Sequence, residues 1–157
     1  MNLVPHLTVS TAVGAGVWAA TGDAVALPAA VAAGVLPDLD HLLDYYFRFI
    51  RRDWRYLFLF LHAWEYVVVG FAAYLIWFRE PWLLAAVLGY VTQVGGDQLF
   101  NRPRWHTYVL TSRIARGFKF KSVLGRQDYT GYRAVIAAVP FGKARLRRWF
   151  ESRLPTQ

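Results

Sequence analysis

Gly34-Val35-Leu36-Pro37-Asp38-Leu39-Asp40-His41 is where a long apolar run ends in two carboxylates and an imidazole. Pro37 suits the first turn of a helix. From there Asp38 and His41 stand three apart and Asp40 and Asp44 four apart, so each pair lies along one helical face. That is ligand spacing. On these residues alone a second reading stays open, in which Asp38 caps the helix and the others are solvated. The rest of the chain has to choose between them.

Composition fixes the solvent. The 157 residues suffice for one domain, and they are 56 % hydrophobic and 17 % aromatic, with a mean hydropathy of +0.25. That is well above an ordinary soluble protein and makes a membrane protein the leading class. With no cysteine, a disulfide framework and thiolate metal sites are excluded, so any metal must be held by His, Asp and Glu. The four histidines, His6, His41, His62 and His106, therefore carry the question.

Charge is unevenly spread. Of 18 Lys and Arg only five precede position 102 and 13 lie from Arg102 onward, where Asp128 and Glu151 are the only acids. Residues 102–157 thus read as a basic cytoplasmic or interfacial segment attached to an apolar body, residues 1–101. Nucleic acid and anionic lipid both attract such a segment. Next to a membrane-embedded body, membrane lipids with anionic headgroups are the expected partner, and nucleic acid is not.

Along the chain, residues 1–5 lack the basic start of a signal peptide, so the first apolar segment is expected to be retained. Residues 6–21 are small and apolar, with Gly14, Ala15 and Gly16 suited to close helix packing. Gly22-Asp23 reads as a turn. Residues 24–36, interrupted by Pro28, complete a helical hairpin whose arms fall short of the ~20 residues of a full span. Residues 42–55 alternate rings and arginines, as an interface between membrane and water does.

Tyr56 to Phe78 has the length of a spanning helix. Its only ionisable residues, His62 and Glu65, are three apart and so predicted on one face; such groups usually face a bundle interior, a cavity or an ion. A buried His–Glu pair that merely links helices is the structural alternative. Trp82 to Phe100 forms a fourth segment, with Gln93 and Asp97 on a shared face and Gly95-Gly96 permitting close approach. Asp97 also fits as a simple terminator. Beyond it Pro103 should break the helix. His106 reads as a surface residue sooner than a ligand, residues 117–122 as an extended piece, 125–131 as a loop and 132–140 as too short to span. The run 143–153 reads as a basic helix with Leu146, Trp149 and Phe150 on one side, either lying on a membrane or docking on the body.

The positive-inside rule puts residues 48–55 and everything from Arg102 onward in the cytoplasm, together with both termini. The chain is then a multi-pass protein of the cytoplasmic (inner) membrane. In that topology His6, Asp38, Asp40, His41, His62 and Asp97 all fall toward the cytoplasmic end of one bundle, the kind of core where helical proteins assemble metal sites.

An early His before a small-residue helix, then Gly34-x-x-Pro37-Asp38-x-Asp40-His41, then His62, then Gly89-Tyr90-(x)6-Asp97, resembles the YdjM-like family of LexA-binding, inner-membrane-associated metal-dependent hydrolases. The match covers roughly residues 6–101. The resemblance implies a multi-helix membrane protein whose metal site falls on His6, Asp38, Asp40, His41, His62 and Asp97. The chain departs from the family where His-x-x-x-Asp is replaced by Gln93-Val-Gly-Gly-Asp97, and where Thr-His-Ser is replaced by Leu61-His62-Ala63. Three consequences are open: Glu65 replaces the missing ligand, the site holds one metal instead of two, or activity is lost.

The expected protein is therefore all-α, an integral membrane bundle of about four helices with a basic, partly helical C-terminal segment. Its expected cofactor is a divalent metal, zinc foremost and manganese or iron as alternatives. Water activated by the metal would attack a phosphoester or acyl carbon, with Glu65 as the candidate catalytic general base. The location makes a lipid headgroup or similar phosphoester the expected substrate. The alternative is a non-enzymatic membrane protein whose polar cluster binds or senses a metal ion, or only locks the helices together.

Overall fold

A computed structural model describes residues 3–101, 104–124 and 131–155, and among these it is all-helical, with a single antiparallel bridge, Tyr56–Lys119, in place of any strand. The helices are α1 (Leu3–Thr21), α2 (Ala26–Val35), α3 (Asp40–Tyr45), α4 (Trp64–Ile76), α5 (Pro81–Asn101), α6 (Leu110–Ala115), α7 (Phe120–Leu124), α8 (Tyr132–Ala138) and α9 (Lys143–Glu151). A 3-10 turn, Leu36–Leu39, joins α2 to α3, and a π turn, Tyr46–Ile50, extends α3. The chain is thus helical without a break from Ala26 to Ile50. The acidic stretch lies inside this helix and does not start a new one. Pro28 falls in its first turn, where a missing N–H costs nothing.

Helices α1, α2 and α5 pack along three stripes with four-residue spacing. His6, Ser10 and Gly14 are buried on α1; Ala26, Ala30 and Gly34 on α2; Ala85, Gly89, Gln93 and Asp97 on α5. Small residues let the backbones approach. A Cβ on Gly14 would sit 2.8 Å from Leu27 Cα, and one on Gly34 would meet Ser10 Cβ. On Gly89 it would collide with the backbone of Ala30. Gly89→Ala is therefore expected to destabilise the fold by about 1–3 kcal/mol. Gly16, which was expected to pack closely, meets nothing within 4 Å. Gly16→Ala should be neutral or stabilising by up to about 1 kcal/mol. Thermal unfolding of the two variants side by side reads the contrast.

The third predicted span is corrected. Of residues 56–78 only Trp64–Ile76 is helical, while residues 51–63 run as a non-helical, largely extended strap. Leu57 and Leu59 enter a core with Val94, Tyr108, Phe120 and Val123, whereas Phe58 and Phe60 point elsewhere, stacking against each other with ring centroids 6.2 Å apart. This is the two-residue period of extended chain. Leu57 N–H donates to Phe118 C=O (2.9 Å) and Phe120 N–H to Arg55 C=O (2.8 Å), which fixes the strap to the C-terminal segment.

That segment is folded onto the body. On α9, Phe150 is buried and Leu146 and Trp149 pack with it against Phe49, Trp54, Tyr132 and Ile136. Of the two expected roles for this helix, docking is the one seen. The expected extended piece at 117–122 reduces to the bridge at Lys119 followed by α7. Arg102-Pro103, expected to break the helix, and most of the expected 125–131 loop lie outside the described residues, although α5 does end at Asn101.

Candidate metal centre

The stripes on α1, α2 and α5 run from small residues into polar ones at the same end of the bundle. On α1 the polar member is His6; beyond Gly34 on the second helix it is Asp38, and on α5 Gln93 and Asp97. The strap adds His62 and the rest of the acidic stretch adds Asp40 and His41. All six His and Asp residues predicted from sequence as ligands meet here.

His62 is fully buried at the middle. Its Nε2 lies 3.3 Å from Asp38 Oδ1 and 3.3 Å from Asp97 Oδ2. His6 Nε2 lies 3.3 Å from Asp97 Oδ1, and His41 Nε2 lies 3.9 Å from Asp38 Oδ1. Separations of 3.3 Å are long for a good hydrogen bond. They match the about 3.3–3.4 Å edge of a tetrahedron whose corners lie about 2.0–2.1 Å from a central zinc. Two sets of three can share an ion, Asp38 with His41 and His62, and His6 with Asp38 and Asp97; within each set all ligand atoms lie within 4.8 Å. Asp38 belongs to both.

Asp40 takes a different place from the one expected. It belongs to neither set, because its Oδ2 faces the other ring nitrogen of His62, Nδ1, at 3.4 Å. The same oxygen accepts the Leu61 N–H. An outer carboxylate in this position would fix the tautomer of His62 and aim Nε2 at an ion shared with Asp38. Asp44, its i+4 partner, pairs with Arg48 instead.

Glu65 is also corrected. His62 precedes α4 and is not on it, so the two do not share a helical face. Both Glu65 oxygens serve the start of α6, accepting from Leu110 N–H (2.9 Å), Thr111 N–H (2.9 Å) and the Thr111 hydroxyl (3.0 Å). The carboxylate caps a helix, as its place beside exposed N–H groups favours. It neither replaces a ligand nor faces the cluster. His106 is buried, contrary to its surface reading, and belongs to neither set of three.

Burial alone would depress the pKa of His62. The carboxylates of Asp38, Asp40 and Asp97 outweigh it and push the ring up to about 10. Three carboxylates gathered round one ring favour positive charge there. The raised value means that the protonated ring's contribution to stability is complete below pH 6.5 and is lost as pH rises through about 10.

Residues that sequence reasoning missed hold the strap in place. Arg113, on α6, is fully buried, and its guanidinium donates to the carbonyls of Leu59 and His62, the latter at 2.6 Å. The Tyr90 hydroxyl accepts from Ala63 N–H (2.9 Å) and donates to the Leu61 carbonyl. Tyr108 stacks on the His62 ring with centroids 5.9 Å apart. The available signal was Arg113 itself, one cation among the apolar residues 108–115 with no acid beside it in sequence. No family model, curated protein or solved structure matches the chain, so what the centre does follows from its own geometry.

Proposed function

We propose that this chain is a multi-pass protein of the cytoplasmic membrane that binds a divalent metal and hydrolyses a phosphoester of a lipid-like substrate at the inner face. The observation that carries the reading is an asymmetry of exposure. His6, His62 and Asp97 are sealed inside the bundle, while Asp38 is 24 % and His41 44 % exposed on one side. A site closed behind and open in front is the arrangement of catalytic metal centres, which keep a position free, whereas structural sites are closed. The fit of the donors to a cation rests on the 3.3 Å edges and on the three carboxylates gathered round the His62 ring. The resemblance to YdjM-like hydrolases points the same way.

A cation held there supplies Lewis acidity and an activated water. The chain's own residues do the positioning. Asp40 orients His62, Asp38 is shared between the two sets, and His41 stands at the mouth. Leu36, Leu39, Leu42 and Leu43, on the same continuous helix as Asp38 and His41, are all exposed. A helix that carries bare leucines as well as the cluster suits a substrate with acyl chains.

Support for the membrane comes from Leu3–Thr21 and Ala26–Ile50, the two helices long and apolar enough to cross, with only 17 % and 28 % of their apolar windows buried. A core helix of a soluble protein would be mostly buried. Helices α4 and α5 complete the four. Their connections alternate ends, so the arginines of the strap and the cations of α6–α9 lie on the side of the metal centre; that side is cytoplasmic by charge. Anionic headgroups are the partners such a surface takes.

Elemental analysis of purified protein should find zinc, manganese or iron. Adding zinc to metal-free protein at pH 7 should release about one proton per ion as His62 gives up its proton, with affinity rising about tenfold per pH unit toward pH 10. Protein loaded with zinc or manganese should turn over a phospholipid or a model phosphodiester. Metal without turnover leaves the sensor reading standing. No metal at all leaves only a polar lock between helices.

A further inference from the structure

We infer that Gln93 is itself a ligand in this centre, presenting its side-chain oxygen to the cation; the inference rests on the metal reading above. Gln93 is fully buried on α5, one turn before Asp97 on the same stripe. Its Nε2 donates to Asp38 Oδ1 at 2.7 Å and lies 3.4 Å from His62 Nε2, so the amide stands between two members of the cluster. Its Oε1 is buried and has no hydrogen-bond partner among the described residues.

A primary amide carries two donors on nitrogen and an acceptor on oxygen. In this orientation the acceptor has no donor. The N–H groups meanwhile face the ring nitrogen through which His62 would hold a metal. A half-turn about the last side-chain bond exchanges the two atoms. Oε1 then lies beside Asp38 Oδ1 and His62 Nε2. Two oxygens at 2.7 Å repel each other, and a cation that drew them apart to an edge of about 3.3 Å would make them two corners of one coordination shell. The centre then has oxygen donors from Asp38, Asp97 and Gln93 against imidazole nitrogens, a set that manganese and iron accept as well as zinc.

The rival role for Gln93 is a donor that only steadies Asp38. Two substitutions test the role. If Oε1 is a ligand, Gln93→Glu keeps an oxygen in place and adds charge, so zinc and manganese should bind as tightly as in the wild type or more so. Gln93→Met, similar in size but without the amide, should weaken binding by more than the about 10- to 100-fold that follows from losing an outer partner. If only the N–H matters, Gln93→Met loses an outer partner and weakens binding by no more than that about 10- to 100-fold, which overturns the inference. A measurement on the wild type does not depend on how the variants fold. With glutamine labelled with 13C at its side-chain carbonyl, the infrared difference spectrum on adding zinc should show an amide carbonyl band moving to lower frequency. No such movement in a protein that binds zinc also overturns the inference and leaves the metal reading intact. A wild type that binds neither zinc nor manganese removes the metal reading, and this inference with it.

Discussion

Asp38→Ala should leave the purified protein essentially without metal, whereas His41→Ala should keep part of it. Asp38 is the one residue common to both sets of three, and its Oδ1 contacts His62, His41 and Gln93. Removing it deprives either set of a charged ligand at once, and the expected loss is more than the about 10- to 100-fold that follows from losing an outer partner. His41 belongs to one set only and stands at the exposed rim. Elemental analysis of wild type, Asp38→Ala and His41→Ala, prepared identically, gives the comparison. Equal metal in all three would remove the centre as drawn. Because Asp38 is partly exposed and its loss relieves carboxylate crowding, the helices should stay folded, which circular dichroism checks.

Arg113→Met should cost about 2–5 kcal/mol and lower the thermal midpoint by roughly 5–15 °C. The guanidinium satisfies two buried carbonyls at opposite ends of the Leu59–His62 segment, and an apolar side chain leaves both without donors. Each buried orphan costs about 1–3 kcal/mol. Arg113→Lys can reach only one carbonyl at a time and should fall between the two. Metal affinity should drop with stability, since the His62 carbonyl is one of the two anchors. An unchanged midpoint in Arg113→Met would show that the strap is held elsewhere.

Much of the centre is legible from sequence because helices convert spacing into geometry. Asp38 and His41 along one helix, and Gln93 and Asp97 along another, can be placed by counting. The shared end of the bundle follows from where the arginines fall. What escaped was the strap. Leu57-Phe58-Leu59-Phe60-Leu61 is apolar at every position, so it reads as part of a span, yet leucine and phenylalanine alternate with the period of extended chain. Continuous apolarity hides a period of two. That misreading carried Glu65 with it, since its partner on α6 lies 45 residues away and no local pattern announces it. Likewise the basic composition of residues 102–157 suggested a tail. Arg113 and Phe150 inside the fold show that net charge describes a segment's surface and not its anchors.

The strap also bears on the lipid around the molecule. By taking residues 51–63 out of helix it leaves α4 with 13 residues, about 20 Å of rise against a hydrocarbon layer of about 30 Å. In the membrane bundle proposed above, lipid next to so short a helix would compress to meet it, at a modest cost for each ångström of mismatch. The bilayer on that flank would then be pinched, and phosphate groups would be drawn inward toward the metal centre.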